Sequence, residues 1–292
     1  MIKPSIKQFF LWLIIGVITY SCSDDSIDSS QDNTPEPLEY AELLNLTYGI
    51  DPEQVLDIYL PANRSEDTKT IILVHGGGWT SGDKSDMEAI RLFIQSALPE
   101  IALVNMNYRL ANENAPPYPM QIDDISLAVD FLESKSKDYV ISETLGFVGV
   151  SAGAHLSLLW SYAFDEDQDV AMACSIVGPV NFTDPAYLES EDGNIQAYLE
   201  LFGIDPTISY LETISPFHQV TTISPPTILF YGGQDPLVPI SQGIDMAEKL
   251  ESLDVPFEFT LYENAGHGWT GTELLDTSNK LIAFIENYLL EN

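Results

Sequence analysis

The sequence of 292 residues predicts an α/β fold, with a mostly parallel central sheet and helices on both faces. Three observations carry the prediction. From about Leu43 onward, short runs rich in Val, Ile and Leu alternate with stretches of helical spacing. Runs such as "TIILVH", "LGFVGV" and "TILFYGG" are apolar throughout, as strands covered on both faces must be. No internal repeat and no second apolar core breaks the alternation, and 45% hydrophobic residues are enough for a sizeable core, so one large domain is expected.

The elements follow in order. "LLNLTYG" and "VLDIYLP" predict two short strands in an opening hairpin, and "TIILVH" predicts the first doubly covered strand. Helical spacing over 84–98 leads to the strand "IALVNMNY", then a helix over 119–135, the strand "LGFVGV" and a helix over 152–164. After the apolar run "VAMACSIVG", residues 179–223 contain no strand signal of comparable strength and predict a small cap or insertion. "TILFYGG" resumes the pattern, followed by a helix over 240–253, the alternating strand "FEFTLYE" and a last helix from about Glu273 to Leu290.

The chain carries 11 Lys+Arg against 45 Asp+Glu, a formal net charge of -34. Such a surface repels polyanions, so no nucleic-acid partner is expected; solubility is the simplest account of the acidity. Of the 2 cysteines, Cys174 lies inside "VAMACSIVG", where a buried inert thiol is expected, and no disulfide with Cys22 is predicted. Neither the 4 histidines nor the cysteines have metal-site spacing, so no metal and no cofactor is expected.

At the N-terminus, Lys3 and Lys7 precede "FFLWLIIGVITY", an apolar stretch short for a bilayer span and matched to the core of a secretory signal. A small residue before Cys22 resembles the lipobox of bacterial lipoproteins, which implies cleavage after residue 21 and a lipid anchor to the outer membrane on Cys22. Tyr20 and Thr19 depart from its usual residues. Ser23-Asp24-Asp25 resembles the signal that some Bacteroidetes lipoproteins use to reach the cell surface. A cleaved signal releasing a periplasmic protein is the alternative. Residues 22–40, rich in Ser, Asp, Glu and Pro, have little to bury and are expected to tether a domain spanning 41–292.

The chemistry gathers at strand ends. Gly149-Val150-Ser151-Ala152-Gly153 is a G-x-S-x-G pattern between a predicted strand and a predicted helix, the context in which a nucleophilic serine is held in strained backbone geometry. Side chains at the two glycine positions would collide with the neighbouring strand and helix. A serine hydroxyl needs a base held by a carboxylate. His75, His155 and His218 are the other histidines, but His267 in "ENAGHGW" follows the last strand, and Asp235 in "GGQDPLVP" follows the strand before it. Ser151, Asp235 and His267 are therefore the expected nucleophile, acid and base.

Attack on a carbonyl creates an oxyanion, which fixed backbone N–H groups stabilise well. The glycines of "ILVHGGGWTSGD" let a backbone approach closely, so the N–H groups of Gly77, Gly78 and Ala152 are the expected oxyanion hole. Trp79 and Trp269 flank these segments, with substrate contact and plain aromatic packing equally open. Arg109 is expected to fix a loop by an ion pair, and His155 to satisfy hydrogen bonds within the helix packing. Phe182, Tyr187, Tyr198, Phe202, Tyr210 and Phe217 are expected either to line a pocket or to form a small satellite core.

With "HGGGW", "GVSAGAH", "GGQDPLVP" and "NAGHGW" in this order, the chain resembles the α/β-hydrolase esterases, nearest the BD-FAE and hormone-sensitive-lipase-like carboxylesterases, over about residues 50–290. "LDIYLPA" and "YRLANENAPPYPMQIDD" are also similar to that group. Members often read "YRLAPE" where this chain has Tyr108-Arg109-Leu110-Ala111-Asn112-Glu113, and "SAGG" where it has Ser151-Ala152-Gly153-Ala154. The resemblance implies a carboxylesterase with a small or polysaccharide-borne ester as substrate. With the expected surface anchor, it points to acetyl or feruloyl groups on carbohydrate. An amidase or peptidase on the same fold, and a non-catalytic binding protein, are the competing expectations.

Overall fold

A computed structural model describes residues 37–202 and 207–291. Cys22 and the predicted signal segment lie outside the described residues, as do the side chain of Tyr198 and residues 22–36 of the predicted tether.

Eight strands form one sheet: β1 (Ala41–Thr47), β2 (Val55–Leu60), β3 (Thr70–Val74), β4 (Ala102–Met106), β5 (Leu145–Val150), β6 (Val170–Ile176), β7 (Thr227–Gly232) and β8 (Phe257–Tyr262). Their order is β1-β2-β4-β3-β5-β6-β7-β8. β1 pairs antiparallel with β2, and β2 antiparallel with β4, while all the remaining pairs are parallel. The opening hairpin and the mostly parallel sheet are as the apolar runs predict.

Strand periodicity divides the core. Ile72, Val74 and Phe147 face one side, with α2 (Met120–Tyr139) and α3 (Ala152–Ala163); further along that side Leu229 and Tyr231 pack under α3 and α8 (Ile240–Ser252). Ile71, Leu73, Val148, Cys174 and Phe230 face the other side, against α1 (Glu88–Ala97) and α9 (Thr272–Ile285). Both faces are covered, which is why these strands read as unbroken apolar runs. Cys174 is fully buried with a free thiol, and burial pushes its pKa up.

The predicted helix over 84–98 is a 3-10 turn, Lys84–Met87, capped by the Asp83 side chain and followed by α1. α2 runs four residues past its expected end, to Tyr139, and α9 stops at Ile285, with a wider π turn over Glu286–Leu290. Residues 179–223 hold four short helices among those described: α4 (Pro185–Leu188), α5 (Gly193–Leu201), α6 (Ile208–Thr213) and α7 (Pro216–Gln219).

The topology positions the site. β3 sits between β4 and β5, so the chain leaves β3 in one direction for β4 and returns on the other side for β5. Such a reversal opens a crevice at the C-terminal strand edge. His75 leaves β3 and Ser151 leaves β5 at that edge.

Candidate active site

Ser151 stands between the end of β5 and the first residue of α3 with φ 53 and ψ -119. A non-glycine residue keeps such a backbone only when its neighbours impose it. The neighbours do: a Cβ on Gly149 would come within 2.5 Å of Ala154 Cα, and one on Gly153 within 2.2 Å of the Val74 carbonyl oxygen. The two collisions expected from the motif are with helix and strand respectively. Ser151 N–H donates to the Ile176 carbonyl at 2.8 Å, tying the turn to β6.

His267 is in the loop after β8. That loop is fastened to the end of β7, where Gly233 N–H donates to Tyr262 O at 2.9 Å and Gln234 N–H to Ala265 O at 2.8 Å. The result brings together the three residues expected from sequence. His267 Nδ1 lies 2.7 Å from Asp235 Oδ2, and His267 Nε2 lies 2.9 Å from Ser151 Oγ. The Asp235 side chain is 1% exposed, and its Oδ1 accepts from the N–H groups of Leu237 and Val238 at 2.8 and 3.0 Å. With the carboxylate accepting throughout, His267 Nδ1–H is the donor to Oδ2, and Nε2 offers its lone pair to the serine hydroxyl. Such an arrangement can take a proton from Ser151 as its oxygen attacks.

Two cavities meet at this serine. A narrow pocket of about 20 Å³ is walled by Trp79, Phe182, Tyr187, Ile195 and Leu199, the last three from α4 and α5. A wide groove of about 620 Å³ is lined by Gly76, Gly77, Thr80, Ser81 and Asp86. Gly78, Ser151, Leu237 and His267 border both. The N–H groups of Gly77, Gly78 and Ala152 have no acceptor among the described residues. Gly77 has φ +117, and its carbonyl accepts from the N–H groups of Thr80 and Ser81, closing a tight turn in the loop. Ala152 opens α3, whose N-terminal partial charge favours an anion.

Two supports, the bracing of Trp79 and the stacking of Tyr108, were invisible as such in the sequence. Trp79 has φ 62, and its carbonyl accepts from Ala111 N–H and from Gln121 Nε2, both at 2.8 Å. Tyr108 stacks on His75 at 4.3 Å and donates to the His75 carbonyl at 2.8 Å. His75 is itself buried, which lowers its pKa. Arg109 makes the expected ion pair, its Nε donating to the fully buried Asp124 at 2.9 Å, and the charged partner raises the guanidinium pKa.

His155 is buried, with Nδ1 accepting from Trp79 Nε1 at 3.1 Å and Nε2 donating to Ile214 O at 2.8 Å. Burial pushes its pKa down to about 4. His218 is remote from the serine, bonded to Thr183. Of the two readings open for Trp269, substrate contact is the one the structure does not bear out: the residue borders neither cavity and donates to Thr277 Oγ1 at 2.8 Å while packing on Tyr262. Gly268, between His267 and Trp269, has φ 146. Of the insertion aromatics, Phe182 and Tyr187 reach the narrow pocket; Phe202 packs on Trp79, Tyr210 on Tyr118 and Phe217 against the α8 side of the core.

Esterase LipC of Mycobacterium tuberculosis is 24% identical over 259 residues, covering 81% of this chain and 61% of that protein. Endo-1,4-beta-xylanase B of Butyrivibrio fibrisolvens is 24% identical over 87% of this chain and 44% of its own length. The chain thus spans about half the length of the curated relatives it matches. Among solved structures, a truncated carbohydrate esterase from gut microbiota superposes with a TM-score of 0.70 at 20% identity, covering 84% of this chain and 96% of that one, a likeness of fold. The fold is that of the α/β-hydrolase esterases. The BD-FAE family model matches residues 56–250, more than half of the sequence, and the chain belongs to the BD-FAE family.

Proposed function

We propose that the chain is a serine hydrolase of carboxylic esters that removes acetyl groups from carbohydrate. The observation that carries this reading is the 2.9 Å approach of His267 Nε2 to Ser151 Oγ, with Asp235 behind the imidazole. In the proposed reaction Ser151 Oγ attacks the ester carbonyl as His267 takes its proton. The N–H groups of Gly78 and Ala152, with that of Gly77, receive the oxyanion. His267 then protonates the leaving alcohol, and water repeats the cycle on the acyl-enzyme.

The two cavities support the choice of acyl group. A sugar polymer has to run out into solvent, which suits the wide groove. The acyl group is left with the narrow apolar pocket, whose volume of about 20 Å³ matches a methyl-sized group far better than a feruloyl ring. Relatives that act on xylan or carry carbohydrate-esterase names agree with a polysaccharide-borne ester. Acetate release from acetylated xylan by the wild type but not by Ser151→Ala tests the reading. Ferulate release from feruloylated arabinoxylan at a comparable rate overturns the acyl assignment, and inactivity on every ester overturns the whole.

For the N-terminus we propose export, cleavage after residue 21, a lipid on Cys22, and a tether over 22–40 leading to the hydrolase domain at 41–292. The support is Lys3 and Lys7 ahead of the apolar run and the small residue before Cys22. Metabolic labelling with a fatty-acid analogue tests it: the label should appear on the wild type and vanish in Cys22→Ser. Label-free protein in the periplasmic fraction supports the released form instead.

A further inference from the structure

We propose that His155 is a positioning residue which, through the indole of Trp79, sets the oxyanion-binding loop against the nucleophile. The inference rests on the reading of Ser151 as the nucleophile and of Gly78 N–H as an oxyanion donor.

Trp79 directly follows Gly78 and is held at φ 62, a conformation that a large side chain keeps only under constraint. Its carbonyl is fixed by Ala111 and Gln121, and its indole Nε1–H donates to His155 Nδ1 at 3.1 Å. An indole N–H can only donate, so Nδ1 must present a lone pair. The Ile214 carbonyl can only accept, so Nε2 must carry the proton, 2.8 Å away. Together they admit a single neutral tautomer.

The ring has no freedom to turn. Trp79, Phe182 and Phe202 surround it edge-on, with centroids 5.5, 5.1 and 6.0 Å from the imidazole. His155 is also one helical turn beyond the nucleophile, and its N–H donates to the Ser151 carbonyl at 3.1 Å. One residue thus binds the nucleophile turn by its backbone, and the oxyanion loop and insertion by its side chain. Oxyanion stabilisation depends steeply on donor placement, so releasing Trp79 should weaken the transition state more than substrate binding.

Trp79→Phe keeps an aromatic ring, though a smaller one than the indole, and deletes the N–H. His155→Gln places an amide donor toward Ile214 and leaves Trp79 without its acceptor, whereas His155→Asn offers an oxygen at the Nδ1 position. Two readouts are taken per folded molecule: kcat and KM on 4-nitrophenyl acetate, and the rate of Ser151 phosphonylation by a fluorophosphonate. Losing an oxyanion donor outright costs roughly 10²–10³ in kcat; displacing one in Trp79→Phe and His155→Gln should cost about 10- to 100-fold, with KM changed less than about threefold. His155→Asn should be the more active of the two His155 variants. Folded variants that react at the wild-type rate, or that change only KM, overturn the proposal. If Trp79→Phe does not fold, the order of the two His155 variants decides. A wild type that is not phosphonylated at Ser151 overturns the functional reading and this inference with it; normal wild-type labelling with unaffected variants overturns this inference alone.

Discussion

Asp235 presents Oδ2 to His267 Nδ1 at 2.7 Å while its other oxygen is clamped by the N–H groups of Leu237 and Val238. The clamp fixes what Asp235→Asn does. Asparagine keeps its oxygen on the two backbone donors and so turns its NH₂ toward Nδ1. His267 must then carry its proton on Nε2, facing the serine hydroxyl, where it cannot act as a base. The expected loss is about 10⁴-fold in kcat with the fold retained, measured by steady-state kinetics beside circular dichroism.

Asp124 is fully buried and holds Arg109 together with the N–H of Arg109 and the amide of Gln54. Asp124→Ala removes the acceptor shared by Arg109 and Gln54 and frees the loop that reaches Trp79 through Ala111. The guanidinium, 29% exposed, can be met by solvent, but the Gln54 amide and the Arg109 N–H lose a buried acceptor, so a loss of about 1–3 kcal/mol is expected in urea unfolding. Activity should fall as well, since Ala111 N–H braces the Trp79 carbonyl.

The His155 imidazole makes stability depend on pH. Unfolded, it takes up a proton as pH falls through about 6.5; folded, burial holds it neutral until about 4. Between those values the unfolded chain binds more protons, so stability present above pH 6.5 is lost as pH drops toward 4, by roughly 3 kcal/mol. His155→Asn has no such group. The stability difference between wild type and variant should therefore shrink by about that amount from pH 7 to pH 4 in urea titrations.

Two glycine substitutions should part in sign. In Gly153→Ala the added carbon meets two fixed carbonyl oxygens, of Val74 at 2.2 Å and His75 at 2.3 Å, so the helix must move off the sheet. A cost of at least about 3 kcal/mol and loss of activity are expected. Gly193, in the first turn of α5, has nothing within 4 Å of the added carbon, and Gly193→Ala should raise stability by about 0.4–1 kcal/mol. Thermal unfolding of both variants checks the contrast.

What the sequence made legible was local. The doubly covered strands announce themselves because burial on both faces demands apolar runs, and the serine turn because two glycines are needed four residues apart. Asp235 and His267 were legible from their place after successive strands. The bracing of Trp79 was not, since Ala111, Gln121 and His155 come from separate elements and no spacing links them. The end of α2 was hidden for another reason: Val140 closes it at φ 56, a left-handed cap that a β-branched residue rarely provides. For Trp269, adjacency to His267 left packing and substrate contact equally open, since its partners Thr277 and Tyr262 come from separate elements.

The most direct test of the central claim is acetate release from 4-nitrophenyl acetate by the wild type and by Ser151→Ala at equal folded concentration. A loss of roughly 10⁴-fold or more in kcat is predicted for the variant. A Ser151→Ala protein that kept a substantial part of the wild-type rate would contradict it.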